Sequence, residues 1–160
     1  MHVFQTYLHE HYGFSGRAIL FGFSRGGLYA FNYAASYPEC VGLLYLDAPV
    51  LDIRSWPGGF GASSGGEKEW RECRECYGLK TDEEIHDFRL NPLDRLDEVT
   101  APIILVAGLA DRVVPYTENG AILAEKYKGK IKTILKPECD HHPHSLTDPT
   151  PIVAFIEQNM

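Results

Sequence analysis

The pentapeptide Gly22-Phe23-Ser24-Arg25-Gly26 fits G-x-S-x-G, and the chemistry that pattern serves is attack by a serine hydroxyl on a carbonyl carbon. A serine hydroxyl is a weak nucleophile until a base removes its proton, and the common base is a histidine oriented by a carboxylate. Both residue types occur downstream, in the chain order serine, aspartate, histidine. Asp111 is the first choice for the acid, with Asp47 as the alternative. The base lies in Glu138-Cys139-Asp140-His141-His142-Pro143-His144, where three histidines in four positions leave the choice open. Negative charge develops on the carbonyl oxygen during attack. The backbone N–H of Arg25, at the start of a helix, is placed to receive it as an oxyanion hole.

These residues can act only if a scaffold brings them together. Residues 17–23 are a short apolar run bounded by glycine, which reads as a buried strand. Residues 28–37 repeat apolar side chains at helical spacing until Pro38 stops them. The turn between them would hold Ser24 at the tip of a sheet, with Gly22 and Gly26 allowing strand and helix to approach closely. Residues 41–46 and 103–108 read as two more buried strands, the first running into Asp47 and the second toward Asp111. Residues 131–135 form a weaker strand, and 3–11, 121–127 and 152–158 read as helices. Strands alternating with helices imply an α/β fold, a parallel sheet with flanking helices. Loops at the carboxyl ends of such strands are where sites assemble.

Residues 51–101 break the rhythm, with glycine, charged and aromatic residues and no convincing strand. The chain therefore divides into an α/β core with the serine (1–50), a helical cap-like insertion (51–101) and an α/β core with the acid and histidine loops (102–160). Within the insertion, residues 58–66 read as a flexible connector, and 68–78 and 82–90 as polar helices. Long insertions in compact domains commonly cover a site. Trp56, Phe60, Trp70 and Tyr77 either pack the interior of the cap or stack on a sugar or aromatic ester, the interior being the simpler reading.

The elbow, the residue order and the acid loop with Pro115 and Tyr116 after Asp111 resemble the α/β-hydrolase superfamily, in its esterase and peptidase-like branches. Asn91-Pro92-Leu93-Asp94 resembles the run that leads into the acid-bearing strand of that family. The resemblance implies His141 as the base, because Cys139-Asp140-His141 falls on the family's G-x-G-H type turn, with Glu138 and Asp140 where glycines are usual. His142 is the alternative and His144 shapes the loop. It also implies a serine hydrolase that cleaves small-molecule carboxylic esters through an acyl-enzyme, without a cofactor. Peptidase, thioesterase and acyltransferase chemistries share this constellation. A non-catalytic or inactive hydrolase scaffold is the alternative from another class.

The departure from the family is at the front, where a single helix precedes the nucleophile strand. In the resembling family, one of the earlier strands pairs beside that strand. The loop after it supplies a second oxyanion donor, worth about 2.7–4 kcal/mol. Residues 17–23 would then be a bare sheet edge. The expectation is a missing N-terminal segment of a longer hydrolase, with a homodimer pairing those edges as the alternative.

Bulk composition narrows the partners. A net charge of −7 lacks the basic footprint that nucleic acid or an anionic membrane surface requires. No apolar run approaches the ~20 residues that span a bilayer, and the first residues carry no basic start with an apolar core. Cys73-Arg74-Glu75-Cys76 has no second pair to complete a zinc site and reads as a coincidence on a charged helix. A metal site built from Cys139, His141, His142 and His144 is not expected, since neighbouring positions point different ways. A reduced, cytoplasmic setting is the resulting expectation.

Overall fold

The computed structural model describes residues 1–160. Four strands, β1 (Ala18–Phe23), β2 (Val41–Asp47), β3 (Ile103–Gly108) and β4 (Ile131–Lys136), form one parallel sheet in that spatial order. Every residue of β2 and β3 is buried, which is why both sequences are continuous apolar runs rather than alternating ones.

Helices α1 (His2–Tyr12), α2 (Arg25–Ser36), α3 (Glu67–Tyr77), α4 (Asp82–His86), α5 (Gly120–Lys126) and α6 (Thr150–Asn159) complete the chain. The two-residue period of the strands splits the core in two. Leu44, Leu46, Ile103 and Leu105 face one way, against Phe31 and Ala34 of α2 and Leu123 of α5. Leu43, Tyr45, Ile104 and Val106 face the other way, against Ile152 and Phe155 of α6. β1 and β4 are the sheet edges. On β1, Phe21 and Phe23 are exposed and lie against the Tyr45 ring. No helix is long and apolar enough to cross a membrane.

Residues 51–101 add no strand to the sheet. A third cluster joins them to the body: Leu28 of α2, Val50, Ile53, Phe88 and Val114, with Trp56, Trp70 and Tyr77 packed around it. Three aromatics of this segment thus belong to its interior, while Phe60 stays exposed against Trp70. Helix α4 is shorter than the sequence pattern suggests. A capping box of Thr81 and Glu84 starts it, and it stops at His86 so that Phe88 can turn into the third cluster.

The glycine-rich run 58–66 is tied down rather than a loose connector. Ser64 N–H donates to Arg112 O at 2.7 Å, Ser63 Oγ to Val113 O at 2.6 Å and Gly66 N–H to Pro57 O at 3.0 Å. The Glu118 carboxylate receives Ser55 Oγ at 2.6 Å and also the Ala62 N–H. Composition pointed to flexibility because Val113 and Glu118, which hold Ser63 and Ala62, lie 50 and 56 residues away in sequence, beyond any local pattern.

The glycines at the strand-to-helix turn are used differently from the motif reading. A Cβ on Gly22 would lie 2.8 Å from Gly27 Cα, and one on Gly27 would lie 2.4 Å from Pro49 Cβ, whereas Gly26 has open space. Close approach therefore falls on Gly22 and Gly27, not on Gly22 and Gly26. Alanine is a better helix former than glycine by about 1 kcal/mol, yet Gly27→Ala is expected to destabilise the fold by about 1–3 kcal/mol through overpacking. Gly26→Ala should leave stability unchanged or raise it. Urea unfolding of the two variants checks this, and equal midpoints would remove the packing argument.

Candidate active site

Ser24 sits between the end of β1 and the first residue of α2, at φ 50° and ψ −121°. This conformation is costly for a residue with a side chain, and three backbone bonds enforce it. Its N–H donates to Asp47 O at 2.9 Å, and its carbonyl accepts from Gly27 and Val50, both at 2.9 Å. The hydroxyl then lies 2.9 Å from His141 Nε2. Arg25 opens α2, where the first-turn N–H groups have no partner within the helix.

Asp111 follows β3 and is buried. Its Oδ1 accepts the N–H groups of Val113 (2.9 Å) and Val114 (2.8 Å), and its Oδ2 lies 2.8 Å from His141 Nδ1. A carboxylate only accepts, so Nδ1 carries the proton and Nε2 offers its lone pair to the serine hydroxyl. The structure thus brings Ser24, Asp111 and His141 into one hydrogen-bonded line.

The histidine loop follows β4 and crosses close to β3. A Cβ on Gly108 would meet Cys139 O at 2.3 Å, and Ala110 N–H donates to Cys139 O at 3.0 Å. Asp140, where the resembling family has a glycine, works as a local brace. Its Oδ1 accepts His141 N–H at 2.7 Å and Arg112 N–H at 3.3 Å, and these bonds hold its carboxyl below the usual carboxylate range.

The alternatives fall outside that line. Asp47 does not reach His141; its Oδ1 lies 3.3 Å from His144 Nδ1. His142 is exposed, with its ring centroid 4.9 Å from that of His141. The three rings do not diverge as neighbouring positions suggest; one donor atom from each lies within 4.8 Å of the others. Both nitrogens of His141 are already engaged, and so is Nδ1 of His144.

Ser24 opens onto a groove of ≈ 490 Å³ bordered by Phe23, Arg25, Gly26, Trp56, Lys68, Glu69 and Glu72. It adjoins a smaller cavity of ≈ 90 Å³, with Leu28, Tyr29, Val50, Ile53, Pro57 and Tyr77 as its apolar wall. Arg25, Trp56, Glu69 and Glu72 border both. The far wall is α3, which also presents Cys73 and Cys76, the pair the sequence suggested was a surface coincidence. Their i, i+3 spacing was the available signal that both lie on one helix face. Burial, reinforced by the neighbouring Cys76 and opposed by Arg25, pushes the Cys73 thiol up to about 11.

Two buried amides brace this arrangement in a way that sequence reading did not assign to them. Asn119 is buried; its Oδ1 accepts Leu51 N–H (2.9 Å) and Asp52 N–H (3.3 Å), while Nδ2 donates to Pro115 O (3.1 Å) and Ser55 Oγ (3.2 Å). Asn91 is also buried, and its Oδ1 accepts Ile53 N–H at 2.9 Å. Together they fasten the entry to segment 51–101.

The sequence model of the prolyl oligopeptidase family matches residues 1–149. Among solved structures, a monoacylglycerol lipase of Paleococcus ferrophilus aligns at TM-score 0.69 and 17% identity, over 99% of this chain and 74% of the lipase. A puromycin-hydrolyzing peptidase of Mycobacterium tuberculosis aligns at 0.69 and 19% identity, over 96% of this chain and 22% of the peptidase. Acetyl xylan esterase 1 from Thermoanaerobacterium sp. aligns at 0.68 and 15% identity, over 95% of this chain and 48% of the esterase. At such identities the likeness shows the fold, which is that of the α/β-hydrolases.

The cysteine environments differ enough to be read chemically. At pH 8 a thiol with pKa about 11 is thiolate to only about one part in 10³, and thiolate is the reactive form. Iodoacetamide at pH 8 should therefore modify the exposed Cys76 at least about tenfold faster than Cys73, as read by peptide mass spectrometry. Equal rates would show that α3 does not bury Cys73 against the cavity.

Proposed function

The chain belongs to the prolyl oligopeptidase family, and from that premise we propose that it is a serine hydrolase that cleaves carboxylic esters through Ser24, His141 and Asp111. The observation that carries this reading is the continuous line Ser24 Oγ–His141 Nε2 (2.9 Å) and His141 Nδ1–Asp111 Oδ2 (2.8 Å), built on a serine whose backbone is clamped in a strained turn.

In this mechanism the substrate carbonyl lies over Ser24 in the groove. Ser24 Oγ attacks as His141 Nε2 takes its proton, and Asp111 stabilises the imidazolium and holds the ring. The Arg25 N–H at the head of α2 donates to the developing oxyanion. His141 then returns the proton to the leaving alcohol. Water, deprotonated by the same nitrogen, releases the acid from the acyl-enzyme. Segment 51–101 acts as a cap: α3 walls the groove, and the small apolar cavity beside Ser24 suits a short acyl or similarly small group.

The family match favours one second reading, peptide hydrolysis. The same proton transfers then serve an amine leaving group, and the cavity takes a small apolar side chain next to the scissile bond.

Fluorophosphonate treatment followed by intact-mass analysis should give one adduct on the wild type and none on Ser24→Ala. Asp111→Asn should slow turnover by about 10⁴-fold. Short-chain p-nitrophenyl esters compared with peptide p-nitroanilides choose between the two readings, with ester turnover expected to dominate. No adduct on folded wild type would overturn the acyl-transfer assignment.

A further inference from the structure

We propose that Asp47 and His144 form a second carboxylate–imidazole pair that positions His141, with Asp47 as a positioning residue acting through the loop that carries the base. The proposal rests on the reading of His141 as that base.

Asp47 ends β2, and its side chain is fully buried. A carboxylate is costly in such a place unless its lone pairs are occupied. Oδ2 accepts the Tyr45 hydroxyl at 2.7 Å and the backbone N–H of Ser145, and Oδ1 faces His144 Nδ1 at 3.3 Å. Ser145 has φ 65°, a left-handed conformation that a side chain disfavours and that the bond to Asp47 helps to fix. From β4, Lys136 Nζ donates to Pro143 O at 2.7 Å and Ser145 O at 3.3 Å, so the loop after His141 is gripped from two strands. Asp47 also accepts the Ser24 N–H through its own carbonyl, at 2.9 Å. One residue thereby fixes the nucleophile by its main chain and the base-bearing loop by its side chain.

His144 carries the effect to the base. Its ring stands 5.1 Å from that of His141 at 79°, with Phe23 on another side at 5.6 Å. Because Asp47 only accepts, His144 Nδ1 carries the proton. Burial holds His144 toward its neutral form against the pull of Asp47, and the adjacent His141 and His142 add to that. A neutral neighbour supports the His141 ring without opposing the positive charge that ring gains during acyl transfer.

Asp47→Asn is a near-isosteric test. With its amide oxygen in the Oδ2 position it keeps the Tyr45 and Ser145 bonds, but its NH₂ faces His144 Nδ1 and moves the His144 proton to Nε2. Three results are expected together. The ¹⁵N spectrum of His144 switches tautomer, the His141 Nδ1–H resonance broadens, and kcat on an ester falls at least about tenfold with KM within about twofold. His144→Ala should produce the same loss of kcat. His144→Asn, whose amide N–H can still donate to Asp47, should recover most of it. This second pair decides the matter if Asp47→Asn fails to fold. Wild-type kcat and an unchanged His141 Nδ1–H resonance in these variants would overturn the proposal. If wild-type protein shows no Ser24-dependent labelling, the acyl-transfer reading fails instead, and the His141 resonance still decides whether Asp47 and His144 position that ring.

Discussion

A serine does not settle at φ 50° and ψ −121° by its own preference, and such a conformation costs on the order of 1–3 kcal/mol. The arrangement around Ser24 follows from the need to hold it there. Two of its three clamping bonds come from the end of β2 and the residues that follow it, at Asp47 and Val50. The same segment includes Ala48 at φ 43° and Pro49, which presses on Gly27 and so seats α2 against the sheet. The pairing of β1 with β2, in which Phe23 faces Asp47, is thus the register on which the Ser24 turn depends. Strands β3 and β4 then need only deliver an acid and an imidazole to the same end of the sheet.

The polar groups at that end are arranged so that direction is unambiguous. Asp111, Asp47 and Asp140 each accept backbone N–H bonds, which fixes where each carboxylate points before any imidazole approaches. Asp111 and Asp47 then face separate histidines, and each sets the tautomer of its own partner. Two acids that look interchangeable as strand-end residues in the sequence are separated by which imidazole the loop after β4 brings to them.

Local features were legible in the sequence and long-range ones were not. β2 and β3 are apolar at nearly every position because both of their faces are covered, so their existence and approximate ends could be read directly. The serine turn could be read because a strand, a glycine-flanked serine and a helix follow in immediate succession. Gly27 was passed over because its constraint comes from Pro49, in the loop after β2, and not from the motif. Residues 58–66 looked loose because the carboxylate that binds them, Glu118, lies far along the chain. His142 and His144 were expected to diverge from His141; the loop instead brings the three rings together edge to face, with centroids 4.6–5.1 Å apart. Asn119 and Asn91 have no periodicity to betray them, since a buried amide that bridges loops is defined only by what surrounds it.

Helix α3 forms a wall of the groove yet contains no fully buried residue, and it contributes nothing to the sheet. Its charged outer face, with Glu67, Arg71 and Glu75 exposed, can accept substitution with little effect on folding. Only the few side chains that look inward touch the space beside Ser24. Under the proposed function, one wall of the groove beside Ser24 is therefore an element whose sequence can drift independently of the strand ends that position Ser24, Asp111 and His141. Descendants of one ancestor could diverge in what they cleave while the Ser24–His141–Asp111 line stays untouched.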